Sequence, residues 1–345
     1  MIEGRRLPTP PPPPPATADV EGPATAGGAA ISRPARARYR RGMLPYYGYR
    51  VAETLVRVTP PRVVRALGAA TADTLLTLRP RSFDGLRSNL QHVLPDADRR
   101  QLRRVMRANI RNLIRSWIEV MEMPYRADSL SRSVQPVNIE YMLQPLERGR
   151  GVVVVSLHLG SWEVGLAGYN HRLGRMALLA EVLQPAQLFE RVVAARARMG
   201  VQVIPIDIGA MRGGDEATAR RLGAAALRDV WRVLRNNGLV AMAIDRDMLG
   251  TGEPIEFFGE PARIPTGVVE IAIRSGAALV PIVLLRVGSQ VVGRCYPEVT
   301  YDPDADRDTE VRRVTRACLE VLEGVIREYP EQWHVLDPVW PSLAP

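Results

Sequence analysis

Short apolar runs and amphipathic helical patterns alternate through the central and C-terminal parts of the chain. The run Gly151–Leu157 (GVVVVSL) is β-branched and bounded by glycine, which is typical of a strand buried on both faces. Further runs predict strands at Ala177–Leu183, Val201–Ile206, Gly238–Ile244 and Ala277–Arg286. Helical patterns occur at Trp162–Arg172, Gln187–Arg198, Ala217–Asn236, Thr266–Ser275 and Asp308–Tyr329. This alternation predicts an α/β domain whose largely parallel central sheet is flanked by helices on both faces.

The region before this domain has a helical pattern from Leu44 to about Tyr125, with a clear helix at Arg100–Met123. Tyrosines and arginines beside the apolar positions of the first helix fit a helix in a membrane interface. An ordinary helix packed on the domain fits them as well. We expect a tail over residues 1–42, an N-terminal helical region over 43–125, and an α/β core over 126–345 that forms one domain with the preceding helices.

The tail combines a proline run with Ala/Gly-rich sequence and ends in a cluster of arginines. Such a segment buries too little apolar surface to offset the entropy of ordering it, so we predict disorder. It is either an electrostatic anchor or an extension without function.

The net charge is +9, and all 46 basic residues are arginine. Either a coding bias or attraction to an anionic partner explains this composition. We find no nucleic-acid-binding motif, so we expect an anionic membrane surface and no nucleic acid. The two cysteines suggest neither a disulfide framework nor a metal site. The sequence has no spanning apolar run and no signal-peptide pattern, so any membrane contact is expected at the surface.

The segment His158–Glu163 (HLGSWE) directly follows the GVVVVSL strand. Strand ends of open α/β sheets present catalytic groups. Glu163 could hydrogen-bond one nitrogen of His158 and leave the other to take a proton from a hydroxyl, while Gly160 lets a substrate approach closely. The alternative is a histidine that caps a helix, with Glu163 stabilising the helix N-terminus.

Three further segments follow in order: AEVLQPAQLFERVVAARARMG (180–200), AIDRDMLGTGEPIEFFGEPARIPTG (243–267) and YPEQWHVLDPVW (329–340). With HLGSWE, which fits a His-x4-acid motif, they resemble the lipid A biosynthesis acyltransferase family and its phosphatidylinositol mannoside acyltransferase branch. The resemblance covers roughly residues 45–340. It implies a glycerolipid acyltransferase-like fold and acyl transfer to a lipid hydroxyl.

The resemblance also implies roles for individual residues. His158 is expected to be the general base, Glu163 the second member of its motif, and Asp245 the acid that holds the imidazole, in preference to Asp247. Three side chains are expected to bind substrate: Glu181, Arg196 and Arg246. The oxyanion donor is expected among backbone amides near Gly160 or in Phe257-Phe258-Gly259.

The remaining candidates are weaker. His171 is expected at the surface, and His334 either packs against Trp333 or contacts substrate. Pro265-Thr266-Gly267 is expected to start a helix. The sequence has no GxSxG elbow and no GxxxxGK[ST] loop, which argues against an α/β-hydrolase and a P-loop enzyme.

We therefore expect an O-acyltransferase without a cofactor, peripheral on the cytoplasmic face of the plasma (inner) membrane. The acyl thioester donor is expected to be acyl-CoA rather than an acyl carrier protein, and the acceptor a glycolipid. The alternatives are a lipid A-type carrier-protein-dependent transferase, a lysophospholipid acyltransferase, or a non-catalytic lipid- or nucleic-acid-binding protein.

Overall fold

A computed structural model of the chain describes residues 42–78, 81–288 and 290–340. The described residues from Pro45 onward form one compact unit. The predicted tail therefore lies outside the described residues, apart from its last position. The predicted boundary between a helical region and an α/β core stays a prediction.

The centre of the compact unit is a seven-stranded sheet with the order β1-β9-β8-β2-β5-β3-β4. Its strands are β1 (Val134–Val137), β2 (Val152–Ser156), β3 (Met176–Glu181), β4 (Gln202–Ile206), β5 (Leu239–Ala243), β8 (Ala278–Val287) and β9 (Gln290–Cys295). Neighbouring strands are parallel except β8 and β9, which are antiparallel. The expectation of a largely parallel sheet flanked by helices is confirmed. The pair β1 and β9 at one edge was not predicted.

The valine run of β2 shows why this sheet is buried on both faces. Successive side chains of a strand point to opposite faces. Val153 and Val155 belong to the core that contains residues of the C-terminal helices, whereas Val152 and Val154 belong to a second core on the other face. All four side chains are at most 1% exposed.

Eleven α-helices within the described residues surround the sheet or precede it. They are α1 (Leu44–Val58), α2 (Pro61–Leu78), α3 (Asp84–Val93), α4 (Arg99–Arg132), α5 (Glu140–Glu147), α6 (Trp162–Leu173), α7 (Ala186–Arg198), α8 (Ile208–Gly213), α9 (Glu216–Arg235), α10 (Gly267–Ser275) and α11 (Arg307–Glu328). The side chain of Asp98 caps α4 by accepting the N–H of Gln101 at 2.7 Å. This helix continues nine residues beyond the predicted end at Met123, with non-helical backbone at Arg126. Helix α10 begins at Gly267, as expected.

A two-stranded hairpin lies outside the main sheet. Strands β6 (Glu253–Phe257) and β7 (Glu260–Ile264) pair in antiparallel fashion through a turn at Phe258 and Gly259. Phe257 is fully buried and stacks on Trp340, with ring centroids 5.5 Å apart. The hairpin therefore anchors the last described segment of the chain.

Throughout the described ranges, no helix has both the length and the apolar character that crossing a bilayer requires.

Candidate active site

His158 and Asp245 follow two neighbouring strands of the sheet. Strands β2 and β5 run parallel with Ser156 opposite Ala243, and each site residue lies two positions further along its strand direction. This register brings the two side chains together. The imidazole Nδ1 of His158 lies 2.8 Å from Asp245 Oδ1, and the backbone N–H of His158 donates to Asp245 Oδ2 at 2.8 Å. The carboxylate therefore fixes both the ring and the backbone of His158.

A third donor completes the surroundings of Asp245. The indole Nε1–H of Trp333 donates to Oδ2 at 2.9 Å, and Asp245 is only 1% exposed. Burial alone raises the pKa of Asp245, but the charge of His158 and the hydrogen bonds together hold this pKa below its usual 3.8. Asp245 is therefore ionised at neutral pH.

The ionised carboxylate determines the tautomer of His158. A carboxylate only accepts hydrogen bonds, so Nδ1 carries the proton and Nε2 has a free lone pair when the ring is neutral. About a third of the side chain, 33%, remains exposed. Burial lowers the pKa of His158, but the charge and hydrogen bond of Asp245 outweigh this effect and raise the pKa above 6.5. The ring can take a proton from a hydroxyl.

Glu163 pairs with an arginine and not with the imidazole. Its Oε2 accepts a hydrogen bond from Arg196 Nε at 3.0 Å, and a second bond from the same guanidinium makes the pair bidentate. Both side chains are buried, and the Arg196 guanidinium lies 5.4 Å from the ring centroid of Trp162. The bond from Glu163 to the imidazole that the spacing allowed is not formed, because Asp245, the acid expected to hold the ring, lies at Nδ1.

Arg246 links two other acidic side chains at the same edge of the sheet. Its Nη1 donates to Glu181 Oε2 at 3.3 Å, and its Nε donates to Asp337 Oδ2 at 2.8 Å. Asp247 has a different function, because its two oxygens accept the backbone N–H groups of Gly250 and Gly252, both at 2.9 Å. The structure thus places Asp245 at the imidazole and Asp247 in a loop.

A cavity of about 440 Å³ lies beside His158 at this edge of the sheet. Polar groups of the wall include His158, the Glu163–Arg196 pair, Glu181 and Arg246. Much of the rest is apolar: Leu113, Trp117, Val120, Trp162, Leu179, Leu183, Ile206, Ile208, Met242, Met248, Leu249, Val268 and Ile271. A second cleft of about 530 Å³ shares Glu181 and Arg246 with this wall. The site therefore borders both a largely apolar cavity and a more polar cleft.

Three of the backbone amides that were candidates for the oxyanion donor already have acceptors. The N–H of Gly160 donates to Gln332 O and that of Ser161 to Leu284 O, both at 2.8 Å. The N–H of Phe258 donates to Glu323 Oε1 at 3.0 Å. These three amides are therefore not available to an oxyanion in this conformation.

The structure explains the glycine at position 160 by a contact other than the predicted approach of a substrate. Its φ is +67°, and a Cβ there would lie 2.1 Å from the carbonyl oxygen of Leu284. The close neighbour is thus the backbone of β8 rather than a substrate.

Comparisons with known proteins identify the family of this chain. The sequence model described as "Bacterial lipid A biosynthesis acyltransferase" matches residues 37–342. The chain belongs to this family. It is an O-acyltransferase.

Two similar proteins share most of their length with this acyltransferase. A phosphatidylinositol mannoside acyltransferase of Mycolicibacterium smegmatis is 29% identical over 302 residues, which is 87% of this chain and 92% of the relative. A phosphatidylinositol mannoside acyltransferase of Mycobacterium tuberculosis is 29% identical over 258 residues, or 74% and 76% of the two chains.

Two features of the acyltransferase site come from the segment after α11. Trp333 binds Asp245, and the backbone N–H of His334 donates to the carbonyl oxygen of His158 at 2.7 Å. His334 also lines the cavity. Trp333 and His334 lie in the YPEQWHVLDPVW segment noted in the sequence. Nothing in the spacing of that segment indicates which strand end it contacts.

Buried asparagines of the N-terminal helices hold this segment. Asn89 Nδ2 donates to the carbonyls of Val335 and Asp337, and Asn89 Oδ1 accepts the N–H of Val339. Asn109 Nδ2 donates in the same way to two carbonyls of the segment. The helices that precede the sheet therefore position residues from the far end of the described chain.

A buried ion pair supports the other side of the His158 turn. Both Nη groups of Arg286 donate to Glu119, at 2.6 and 2.8 Å, and Ser161 Oγ donates to Glu119 Oε2 at 2.6 Å. Helix α4, strand β8 and the turn after β2 are thereby joined. Sequence reasoning missed this network, because its members are far apart along the chain.

Proposed function

We propose that this enzyme transfers a long-chain fatty acyl group from an acyl thioester, with acyl-CoA favoured, to a hydroxyl of a membrane glycolipid. The observation that carries this proposal is the lone pair of His158 Nε2, set by Asp245, at the wall of a largely apolar cavity. A general base beside apolar space suits an alcohol acceptor and a fatty acyl donor.

The chemistry needs no covalent enzyme intermediate. His158 Nε2 takes the proton of the acceptor hydroxyl as its oxygen attacks the thioester carbonyl. The resulting tetrahedral adduct then loses the C–S bond, and the thiolate leaves and receives the proton from His158. The carboxylate of Asp245 stabilises the imidazolium that exists between these two proton transfers.

The other polar side chains of the cavity fit supporting roles. Arg196 and Glu163 neutralise each other, so we assign them to shaping the cavity wall beside Trp162. Glu181 and Arg246 border both the cavity and the polar cleft, so we assign them to contacts with the acceptor headgroup.

The named relatives support a mannosylated phosphatidylinositol as the acceptor. We further place the enzyme peripherally on the cytoplasmic face of the plasma membrane. Helix α1 supports this location with a row of apolar residues at helical spacing, between 54% and 71% exposed: Tyr47, Val51, Leu55 and Val58. Arg50 and Arg57 on the same helix suit an anionic lipid surface.

Acyl transfer by the purified protein tests the proposal. Radiolabelled palmitoyl-CoA or palmitoyl carrier protein is offered with mannosylated phosphatidylinositol, a lipid A precursor or a lysophospholipid. We expect transfer from palmitoyl-CoA to the mannosylated lipid, and its loss in His158→Ala. His171→Ala is the matched control, because it removes an exposed imidazole. Transfer that survives in His158→Ala would exclude His158 as the base.

A further inference from the structure

The cavity wall contains a second imidazole that the proposed chemistry does not use. His334 lines the same cavity as His158, and its backbone N–H donates to the His158 carbonyl oxygen at 2.7 Å. An antiparallel bridge between the neighbouring residues Leu159 and Trp333 fixes the two segments against each other. The two histidines are therefore held side by side by backbone contacts.

Asn109 determines which nitrogen of His334 carries the proton. The amide nitrogen of Asn109 donates to the carbonyl oxygens of Pro330 and Trp333, at 3.2 and 2.7 Å. This orientation leaves the amide oxygen facing His334 Nδ1, at 3.0 Å. An amide oxygen only accepts, so Nδ1 must be the donor and Nε2 bears the free lone pair.

The Nε2 atom of His334 is shielded from solvent and has no hydrogen-bond partner among the described residues. Burial lowers the pKa of His334 to about 3, and the positive charge of Arg286 adds to this effect. The ring is therefore neutral at physiological pH. A buried acceptor without a donor is uncommon in folded proteins, and a ligand is one source of the missing donor.

We propose that His334 Nε2 accepts a hydrogen bond from a second hydroxyl of the acceptor, near the hydroxyl that His158 deprotonates. This inference rests on the proposed function and makes it more specific. Two neighbouring imidazoles, each with a free lone pair, match a polyhydroxylated headgroup such as a sugar ring. An acceptor with one isolated hydroxyl leaves His334 unpaired. His334 is thus a residue that selects sugar acceptors over simple alcohols.

The test compares acceptors that differ by one hydroxyl. Octyl mannoside, its deoxy analogues lacking one ring hydroxyl each, and octanol are offered with palmitoyl-CoA to wild type, His334→Leu and His334→Gln. His171→Leu serves as the control for loss of an imidazole. Cleavage of palmitoyl-CoA without an acceptor reports separately on the His158 machinery, and thermal unfolding reports on the fold.

For wild type we expect one deoxy analogue to lose about ten- to a hundredfold in kcat/KM relative to octyl mannoside. His334→Leu is expected to show the same loss with octyl mannoside and no further loss with that analogue, and its transfer to octanol should fall less than its transfer to octyl mannoside. His334→Gln, which retains an acceptor oxygen, is expected to recover part of the preference.

Two results would overturn the inference. In one, His334→Leu discriminates between the acceptors as wild type does. In the other, it loses transfer to octanol and to the mannoside equally, which indicates a purely structural role. Failure of the proposed function has a different signature: thioester cleavage and transfer to every acceptor are then absent or independent of His158.

Discussion

The substitution Asp245→Asn removes one charge with almost no change in shape. The backbone N–H of His158 and the indole N–H of Trp333 both donate to Oδ2 of this side chain. The amide oxygen of asparagine must therefore occupy that position, because an amide N–H there would face two other donors. The amide nitrogen then faces His158 Nδ1, which has to become an acceptor. The imidazole proton moves to Nε2, and the lone pair that deprotonates the acceptor in the proposed mechanism is lost.

The size of the effect follows from the role of the lost group. General base catalysis contributes about 10²- to 10⁴-fold to a rate, which corresponds to roughly 3–5 kcal/mol of activation free energy. We expect kcat to fall by that factor. The free energy of unfolding should change little, because the amide oxygen still accepts the two N–H groups.

The pH dependence supplies an independent check. In the wild-type enzyme, activity should rise with pH as His158 loses its proton, with a midpoint above 6.5, because the pKa is raised. In Asp245→Asn no carboxylate raises the pKa of His158, so burial becomes the main influence and lowers that pKa. The residual activity of Asp245→Asn should therefore reach its plateau at a lower pH than in wild type.

The assay follows release of the free thiol from palmitoyl-CoA with a thiol-reactive chromophore. Cys295 and Cys318 are buried, and burial raises their pKa values, to about 11 and about 12, so the enzyme itself contributes little signal. Asp247→Asn is the matched control, because the same chemical change then affects a carboxylate that accepts loop amides and does not bind the imidazole. A variant Asp245→Asn that keeps more than a tenth of the wild-type kcat, or an unchanged pH profile, would refute this account of the tautomer.

Three further substitutions test the supporting structure. Gly160→Ala places a methyl group against the Leu284 carbonyl oxygen at a positive φ, so we expect a loss of at least about 1–2 kcal/mol in stability and a lower kcat, measured by urea unfolding and thioester cleavage. Arg196→Leu leaves the Glu163 carboxylate buried without its partner, and should lower the free energy of unfolding in urea by about 3–5 kcal/mol. The double variant with Glu163→Leu should recover part of this stability, and no recovery would contradict the pairing. Asn89→Ala removes three hydrogen bonds to the segment after α11, so we expect a loss of about 2–4 kcal/mol; unchanged thermal unfolding and tryptophan fluorescence would show that this segment does not depend on Asn89.

Local sequence predicted the elements that are buried on both faces. The valine run of β2 and the apolar run of β8 have strong β-branched or aliphatic character, and both strands form close to the expected positions. The edge strand β1 was missed because it is only four residues long and contains Pro136. A proline is tolerated there because an edge strand does not need every N–H.

The sequence predicted the site residues that directly follow strands. His158 and Asp245 are 87 positions apart and meet through the register of β2 and β5, which residue types alone do not specify. The spacing of the motif also allowed a bond from Glu163 to His158, which the structure does not contain. The actual partner of Glu163, Arg196, lies on a separate helix.

The dependence of the site on the segment after α11 has a consequence for biosynthesis. Asn89 binds the backbone of Val335, 246 positions later, and Trp333 reaches Asp245 only when that segment is in place. A nascent chain on the ribosome therefore cannot assemble its carboxylate–imidazole pair fully until residues near 340 have emerged. A product of premature termination before Trp333 would lack both the indole donor to Asp245 and the segment that Asn89 binds.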